Sequence, residues 1–362
     1  MKISDIITFL ENIAPPSYQE NYDNSGLITG NLDHVFKKGL VCLDITENIL
    51  NEAIDIGANF IVSHHPLIFK SLKSLTGKSL VEKLLIQAIK HDITLYAMHT
   101  NLDNVFDGVN YSFCEKLSLN KLHILCPKNQ ILRKLITYVP LSYAENVRNA
   151  LFEAGGGHIN NYDCCSFNVN GIGTFKANDK ANPFVGKKNE IHAENETRIE
   201  ITFPDYKEKQ IISDLLKVHP YEEVAYDIYH LENSHPQVGS GIIGTLPVKM
   251  HIHDFLAYLK EKFKLPQIKH SKIIEKEIST VAFCGGSGAF LIQDAIAQKA
   301  DVFITGEINY HDFINYGDDI LIIAIGHYES EIEIKHYLCN KLIKKFSTFA
   351  VSKSETNSIY YL

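Results

Sequence analysis

Two adjacent histidines, His64 and His65, follow the apolar run 60–63 and precede Pro66. Such a run is typical of a buried β-strand, and α/β proteins place their chemistry where parallel strands end. Imidazole is the commonest protein metal ligand, so the pair predicts one edge of a metal site if ligands converge from other strands. An isolated pair is equally consistent with imidazoles that cap the strand by bonding to the backbone.

Other metal-capable side chains follow other apolar runs. Asp103 comes after the run 93–98, and His327 comes after the run 320–325. Glu331 is four residues beyond His327, which places both side chains on one face of a helix. Taken singly, Asp103 is more typical of a turn, and His327 with Glu331 is more typical of a solvated helix pair.

Three imidazoles and two carboxylates at strand ends suit two divalent ions that activate water for hydrolysis. The predicted ligands are His64, His65, Asp103, His327 and Glu331. Two such ions bring more positive charge than two carboxylates remove, so the site would attract a phosphate or another anion. Zinc, iron and manganese all suit these ligand types.

Alternating strand and helix patterns position the predicted ligands. Helices are predicted at 3–13, 46–57, 78–91 and 107–117, the last capped by Asp107, and then at 288–299 and 328–345. Strands are predicted at 39–44, 60–63, 93–98, 281–284, 301–305, 320–325 and 358–362. The segments 41–65 and 281–307 share one strand–helix–strand plan, which predicts a duplicated α/β half.

The pattern changes between these halves. Strands at 135–139 and 198–203, helices at 144–154 and 207–217, and a charged flexible loop at 187–197 predict an inserted α+β domain. We therefore predict an α/β fold with an N-terminal half at 1–126, an insert at 127–236 and a C-terminal half at 237–362. The polar cluster 219–223 in the insert has a spacing that dictates no mechanism.

Two further features lie near the predicted strand ends. The turn Cys284-Gly-Gly-Ser-Gly288 offers backbone N–H groups to a phosphate, although it lacks a Walker lysine, and a tight turn is at least as good an interpretation. Glu307 is the counterpart of His65 in the internal repeat, so we predict that it hydrogen-bonds a ligand or a water at the site.

Composition excludes several classes of protein. The chain of 362 residues has a formal charge of −8, which argues against nucleic-acid binding. Its 7 cysteines are odd in number, are scattered and contain no Cys-x-x-Cys pair, which is typical of reduced intracellular thiols. Because no apolar run approaches membrane-spanning length and charge interrupts the N-terminus, we expect a cytoplasmic protein without a membrane partner.

Several motifs together resemble one known family. They are Asp23-Asn-Ser-Gly-Leu27, Ser63-His-His-Pro66, His99-Thr-Asn-Leu-Asp103, Gly244-Thr245, Cys284-Gly-Gly-Ser-Gly288, Thr305-Gly-Glu307 and Gly326-His-Tyr-Glu-Ser-Glu331. In this order they resemble the type 2 GTP cyclohydrolase I homologue family, also called NIF-three-like proteins, over nearly the whole chain.

The resemblance implies two related α/β halves around a dinuclear metal site and a toroidal homohexamer. The implied ligands of two divalent ions per subunit are the five residues already named. Segments around Tyr138, Gly157 and His219 resemble the PII/CutA-like insert of the long members.

We therefore expect a dinuclear hydrolase for a nucleotide-like anion. In its GTP form, hydroxide adds at C8 of the purine and formate is released, with His99 or Glu307 as proton carriers. The competing hypothesis is a non-catalytic hexameric scaffold that binds metal or senses ligands.

Overall fold

The computed structural model describes residues 1–273, 275–347 and 350–356. The predicted α/β class is confirmed, whereas the predicted strand at 358–362 lies outside the described residues. The chain divides into two compact units, one formed by residues 1–127 with 237–362 and the other by residues 128–236. The duplication of two halves and the likeness of the insert to PII/CutA proteins stay predictions.

Helices and strands alternate along most of the chain. The helices are α1 (Ile3–Ile13), α2 (Glu47–Asp55), α3 (Leu80–Lys90), α4 (Thr100–Asp103), α5 (Val109–Lys116), α6 (Ala144–Glu153), α7 (Glu208–Val218), α8 (Ile252–Phe263), α9 (Ile292–Ala297), α10 (Tyr310–Tyr316), α11 (His327–Glu331) and α12 (Ile334–Lys345). The strands are β1 (Gly26–Thr29), β2 (Lys38–Cys42), β3 (Phe60–Ser63), β4 (Thr94–Ala97), β5 (Asn120–Pro127), β6 (Leu132–Pro140), β7 (Phe167–Lys176), β8 (Ile191–Pro204), β9 (Tyr226–Leu231), β10 (Gly239–His251), β11 (Lys269–His270), β12 (Glu277–Cys284), β13 (Val302–Thr305), β14 (Leu321–Ala324) and β15 (Ala350–Lys353).

The first unit contains a five-stranded sheet with the order β1-β4-β3-β2-β15. Strands β15, β2, β3 and β4 are parallel, and β1 closes the edge antiparallel to β4. Helix α2 begins where the Thr46 side chain accepts a hydrogen bond from the backbone N–H of Ile49. Helices α2 and α3 bury Leu50 and Leu84 in the same core as Ile61 of β3.

The same unit contains a six-stranded sheet with the order β11-β14-β13-β12-β10-β5. Its strands β12, β13 and β14 are parallel. Alternate residues of β12 enter different cores, since Phe283 packs with Phe255 of α8 while Ala282 packs with Ile292 of α9. The sheet is therefore covered on both faces, as a parallel sheet requires.

The second unit is a four-stranded antiparallel sheet with the order β7-β8-β6-β9 and two helices, α6 and α7. Its core includes Val147 and Leu151 of α6 and Ile211 of α7, packed with residues of β6 and β8. The segment 187–197, predicted to be a flexible loop, lies mostly in β8, so that prediction is wrong. Its residues 191–197, which include Glu194 and Glu196, form the first half of a strand that pairs with β7 and then with β6, because ladder hydrogen bonds outweigh composition.

Several predicted boundaries in the first unit also require correction. The helix predicted at 328–345 is divided into α11 and α12, and the helix predicted from Gly288 is reduced to α9 after a short 3₁₀ turn. Gly108 precedes α5, so Asp107 is not its cap. The elements of this unit that were not predicted are strands β1, β5, β10, β11 and β15 and helices α4, α8 and α10.

Within the described parts of the chain, each helix is too short or too polar to cross a bilayer. All seven cysteines are free thiols.

Candidate metal centre

Strand ends of the first unit lead into His64, His65 and His327, whereas Asp103 ends α4 and Glu331 ends α11. His64 and His65 follow β3, and their backbone N–H groups continue the ladder by bonding to Cys42 and Leu43 at 3.2 and 2.9 Å. His99 follows β4 and Glu307 follows β13, while His327 begins α11 after β14. Because the backbone at these residues continues from strands of the sheets, the side chains are attached to a rigid framework.

His64 is fully buried and uses only one ring nitrogen for hydrogen bonding. Its Nδ1 lies 2.7 Å from the Met98 carbonyl oxygen. Nδ1 is therefore the N–H donor, and Nε2 carries a free lone pair. Nε2 lies 3.7 Å from Asp103 Oδ1 and 3.8 Å from Glu331 Oε1. These gaps exceed hydrogen-bond length, yet two metal–ligand bonds of about 2.0–2.2 Å each span them.

Two further imidazoles are oriented by buried or half-buried carboxylates. His65 Nδ1 lies 2.7 Å from Asp44 Oδ1, and His99 Nδ1 lies 2.7 Å from Asp23 Oδ1. A carboxylate that accepts from Nδ1–H fixes the tautomer in which Nε2 can bind a metal. Sequence reasoning assigned no role to Asp44 or Asp23, although Asp44 ends a predicted strand beside His65.

Glu331 is the carboxylate around which the imidazoles gather. It is 3% exposed, and its Oε2 lies 3.0 Å from His65 Nε2 and 3.2 Å from His327 Nε2. Gly286 makes this approach possible, because a Cβ there would lie 2.5 Å from Glu331 Oε1 and its φ of +62° disfavours a larger residue. Glycine is therefore required where the turn after β12 meets the cluster.

Glu307 contacts the Nδ1 side of the His327 ring, whereas Glu331 contacts the Nε2 side. Its Oε1 lies 3.2 Å from His327 Nδ1, and its Oε2 accepts a hydrogen bond from Ser287 Oγ at 2.5 Å. This hydrogen bond and the neighbouring imidazole hold the pKa of Glu307 below its usual value. Glu307 therefore stays anionic and orients His327.

The donor atoms fit a divalent ion. Two groups of three residues have ligand atoms within 4.8 Å of one another, His64 with His65 and His99, and His65 with His327 and Glu331. Among the described residues, no hydrogen-bond partner satisfies four buried atoms of the cluster: His64 Nε2, His65 Nε2, Asp103 Oδ1 and Glu331 Oε2. Orphaned buried polar atoms are costly, and a divalent cation placed among these four atoms would satisfy all of them.

The electrostatics of the cluster favour added positive charge. Burial alone would lower the pKa of His65, but the nearby carboxylates of Asp44 and Glu331 outweigh it and raise the pKa to about 10. Burial alone would raise the pKa of Glu331, but the three surrounding imidazoles hold it well below its usual value. Burial raises the pKa of Asp103 despite the nearby His64. Protons on the imidazoles or a metal ion can supply the positive charge that stabilises ionised Glu331.

The turn Cys284–Gly288 is tied to its own surroundings. The N–H groups of Gly285, Gly286 and Gly288 donate to Asn110, Ser330 and Thr305 at 2.9–3.0 Å. These amides are therefore not directed at a phosphate, and the interpretation as a tight turn accounts for them.

We expect Asp44→Asn to weaken metal binding by roughly 10–100-fold, because an amide cannot accept from His65 Nδ1–H with the strength of a carboxylate. Competition with a chromophoric chelator measures the dissociation constant. Asp55→Asn, on the exposed end of α2, is the matched control. Unchanged affinity in Asp44→Asn would show that this carboxylate does not support the site.

The fold and the cluster define an α/β protein in which parallel strand ends carry a histidine–carboxylate group that could hold a metal ion. The chain belongs to the Duf34/NIF3 (NGG1p interacting factor 3) family, whose model matches residues 1–358. A Bacillus subtilis relative called "GTP cyclohydrolase 1 type 2 homolog" is 38% identical over 99% of this chain and 98% of its own.

Solved structures agree with this assignment. A Bacillus cereus protein related to NIF3 has a TM-score of 0.86 and 32% identity, covering 100% of this chain and 99% of its own. A Staphylococcus aureus protein has a TM-score of 0.79 and 30% identity with the same coverage.

Proposed function

We propose that this chain is a divalent-metal-dependent hydrolase whose ligands are His64, His65, Asp103, His327 and Glu331. The observation that carries the proposal is the convergence of four buried donor atoms that lack a hydrogen-bond partner among the described residues. We place two ions among these five ligands, and His65 can bind only one of them, because its Nδ1 donates to Asp44 and its Nε2 carries a single lone pair. Bound divalent ions supply Lewis acidity and lower the pKa of water toward neutrality.

The other side chains of the cluster orient the imidazoles and carry protons. Asp23 and Asp44 hold the rings of His99 and His65, and Glu307 holds His327. Both oxygens of Glu307 are engaged, so His99 is the better proton carrier of the two predicted candidates. The substrate class is a nucleotide-like anion, for which the family name suggests GTP, with two successive hydrolytic cleavages at C8 releasing formate.

A second candidate is a non-catalytic scaffold that holds the metal without turnover. It is favoured by the turn Cys284–Gly288, whose amides are engaged internally and do not provide a phosphate cradle. The proposals differ in whether any reaction depends on the ligand set.

One experiment separates them. The metal-free protein is reloaded with zinc, iron(II) or manganese, and formate release from GTP is followed beside hydrolysis of a nucleotide and phosphoester panel. We expect His64→Ala to lower turnover by at least about 100-fold, because direct ligands matter more than the groups that orient them. His91→Ala, an exposed histidine at the end of α3, should match the wild type. Metal uptake without His64-dependent turnover on any substrate would favour the scaffold.

We also propose a cytoplasmic homohexamer. The segment before α3 exposes Phe69, Leu72 and Leu75, each at 39–50%, which is typical of a surface covered by another chain. Light scattering should give a mass near six chains, and a stable monomer would contradict the proposal.

A further inference from the structure

The insert contains a large cavity whose lining residues all belong to residues 128–236. Its volume is about 1010 Å³, at the upper end of small-molecule sites. Two glycines of β7, Gly171 and Gly173, leave part of the lining without side chains. A Cβ at Gly171 would meet no atom within 4 Å, so this side of β7 opens into free space.

Three aromatic side chains line one side of the cavity, with their rings tilted relative to one another. The Tyr221 ring lies 6.2 Å from the Phe184 ring at 48°, and 6.4 Å from the Phe175 ring at 56°. Phe184 also meets Tyr143 edge-on at 5.5 Å, which fixes the segment that carries it. Phe184 is nevertheless 48% exposed, so a ligand would cover apolar surface that the insert leaves open.

A buried carboxylate lies beside these rings. Glu196 is 9% exposed, and its Oε1 accepts a hydrogen bond from the Tyr221 hydroxyl at 2.7 Å. Its Oε2 lies over Gly173, where a Cβ would be only 2.0 Å away, and no described residue donates to this oxygen. The cavity therefore presents a carboxylate oxygen with an unused lone pair.

The other charges near the cavity do not neutralise Glu196. Three cations, Lys176, Lys180 and Arg198, also line the cavity. The Arg198 guanidinium is 2.8 Å from Glu200, and among the described residues none of the three cations forms an ion pair with Glu196. Glu222 and Glu223 add acidic groups to the lining, and Glu222 ties the opposing segment through the Asn182 N–H at 2.6 Å. An anionic ligand would meet a carboxylate at the aromatic wall, whereas a cation would meet complementary charge.

We propose that this cavity binds a small organic cation, with its ammonium nitrogen among Phe175, Phe184 and Tyr221 and against Glu196. Aromatic faces attract ammonium groups through their quadrupoles, and the attraction increases when water is excluded. The neighbouring carboxylate supplies the formal counter-charge. This site is separate from the metal cluster and does not depend on the proposed hydrolase activity.

The test uses the full-length protein and matched probes. Choline is compared with 3,3-dimethyl-1-butanol, its uncharged isostere, and putrescine represents primary ammonium groups; calorimetry and ligand-observed NMR report the dissociation constants. We expect choline or putrescine to bind at least about tenfold more tightly than the uncharged isostere. The preferred probe distinguishes quaternary from primary ammonium ligands.

Two variants locate the binding. Glu196→Gln keeps the shape of the side chain and should weaken binding by at least about tenfold, whereas Glu145→Gln on α6 should have no effect. Gly171→Leu should fill the cavity and abolish binding with an unchanged thermal unfolding midpoint. Equal affinity for choline and its isostere, or wild-type affinity in Gly171→Leu, would overturn the proposal. So would the absence of binding to the full-length wild type, as expected if a neighbouring copy fills the cavity.

Discussion

Glu331→Gln should cause the largest loss of metal binding of any single change in the cluster. The wild-type carboxylate lies 3.0 Å from His65 Nε2, 3.2 Å from His327 Nε2 and 3.8 Å from His64 Nε2. An amide is a much weaker ligand and carries no charge, so we expect affinity to fall by at least about 100-fold, more than for removal of an orienting carboxylate. Metal per chain after dialysis and chelator competition measure the loss.

The matched control is Glu333→Gln. Glu333 lies two residues further along the chain and pairs with Lys116, outside the cluster.

In the metal-free proteins, proton NMR provides a second measurement. Loss of the Glu331 charge should lower the pKa of His65 from its value of about 10, because Glu331 helps to raise it. Full metal content in Glu331→Gln would exclude this residue as a ligand.

The sequence predicts the strand ends of the cluster because buried parallel strands are continuous apolar runs. The runs before His64 and His327 are β3 and β14, with buried residues along nearly their whole length. Since parallel strands end at one edge of a sheet, their next residues are brought near each other. The structure brings Glu331 to His64 and His65 across two different sheets, a contact that no local pattern specifies.

The supporting carboxylates differ in how well the sequence could reveal them. Asp44 lies two residues after β2, in the same position relative to its strand as His65 relative to β3, so its role was open to prediction. Asp23 lies before β1, 76 residues from His99, in a segment with a loop composition. Only the tertiary fold joins them. Similarly, the strand predicted at 198–203 is the second half of β8, whereas the first half escaped prediction because its charged residues have a loop composition and its pairing with β7 is a long-range effect.

Asp23→Asn should cause a large loss of stability. The Asp23 side chain is fully buried and accepts hydrogen bonds from the Thr100 N–H at 3.0 Å, the Thr100 hydroxyl at 2.5 Å and the Ser25 hydroxyl at 2.8 Å, besides its contact with His99. An asparagine would direct N–H groups at some of these donors. Breaking such a buried network costs about 3–5 kcal/mol in the free energy of unfolding.

Urea denaturation of the chelator-treated protein measures this loss, followed by circular dichroism because the chain has no tryptophan. Asp33→Asn is the control, since Asp33 is 79% exposed and pairs with the exposed Lys2, and its loss should stay below about 0.5 kcal/mol.

The effect of Asp23→Asn on stability should also depend on pH. Burial alone would raise the pKa of Asp23, but His99 and Thr100 hold it well below its usual value. The folded state therefore gains stability from ionised Asp23 at neutral pH, and this gain is lost as the pH falls below about 4 toward the folded-state pKa. The stability difference between wild type and Asp23→Asn should accordingly be complete at neutral pH and shrink in acid, and a difference that does not change with pH would show that it arises from packing and not from the charge of Asp23.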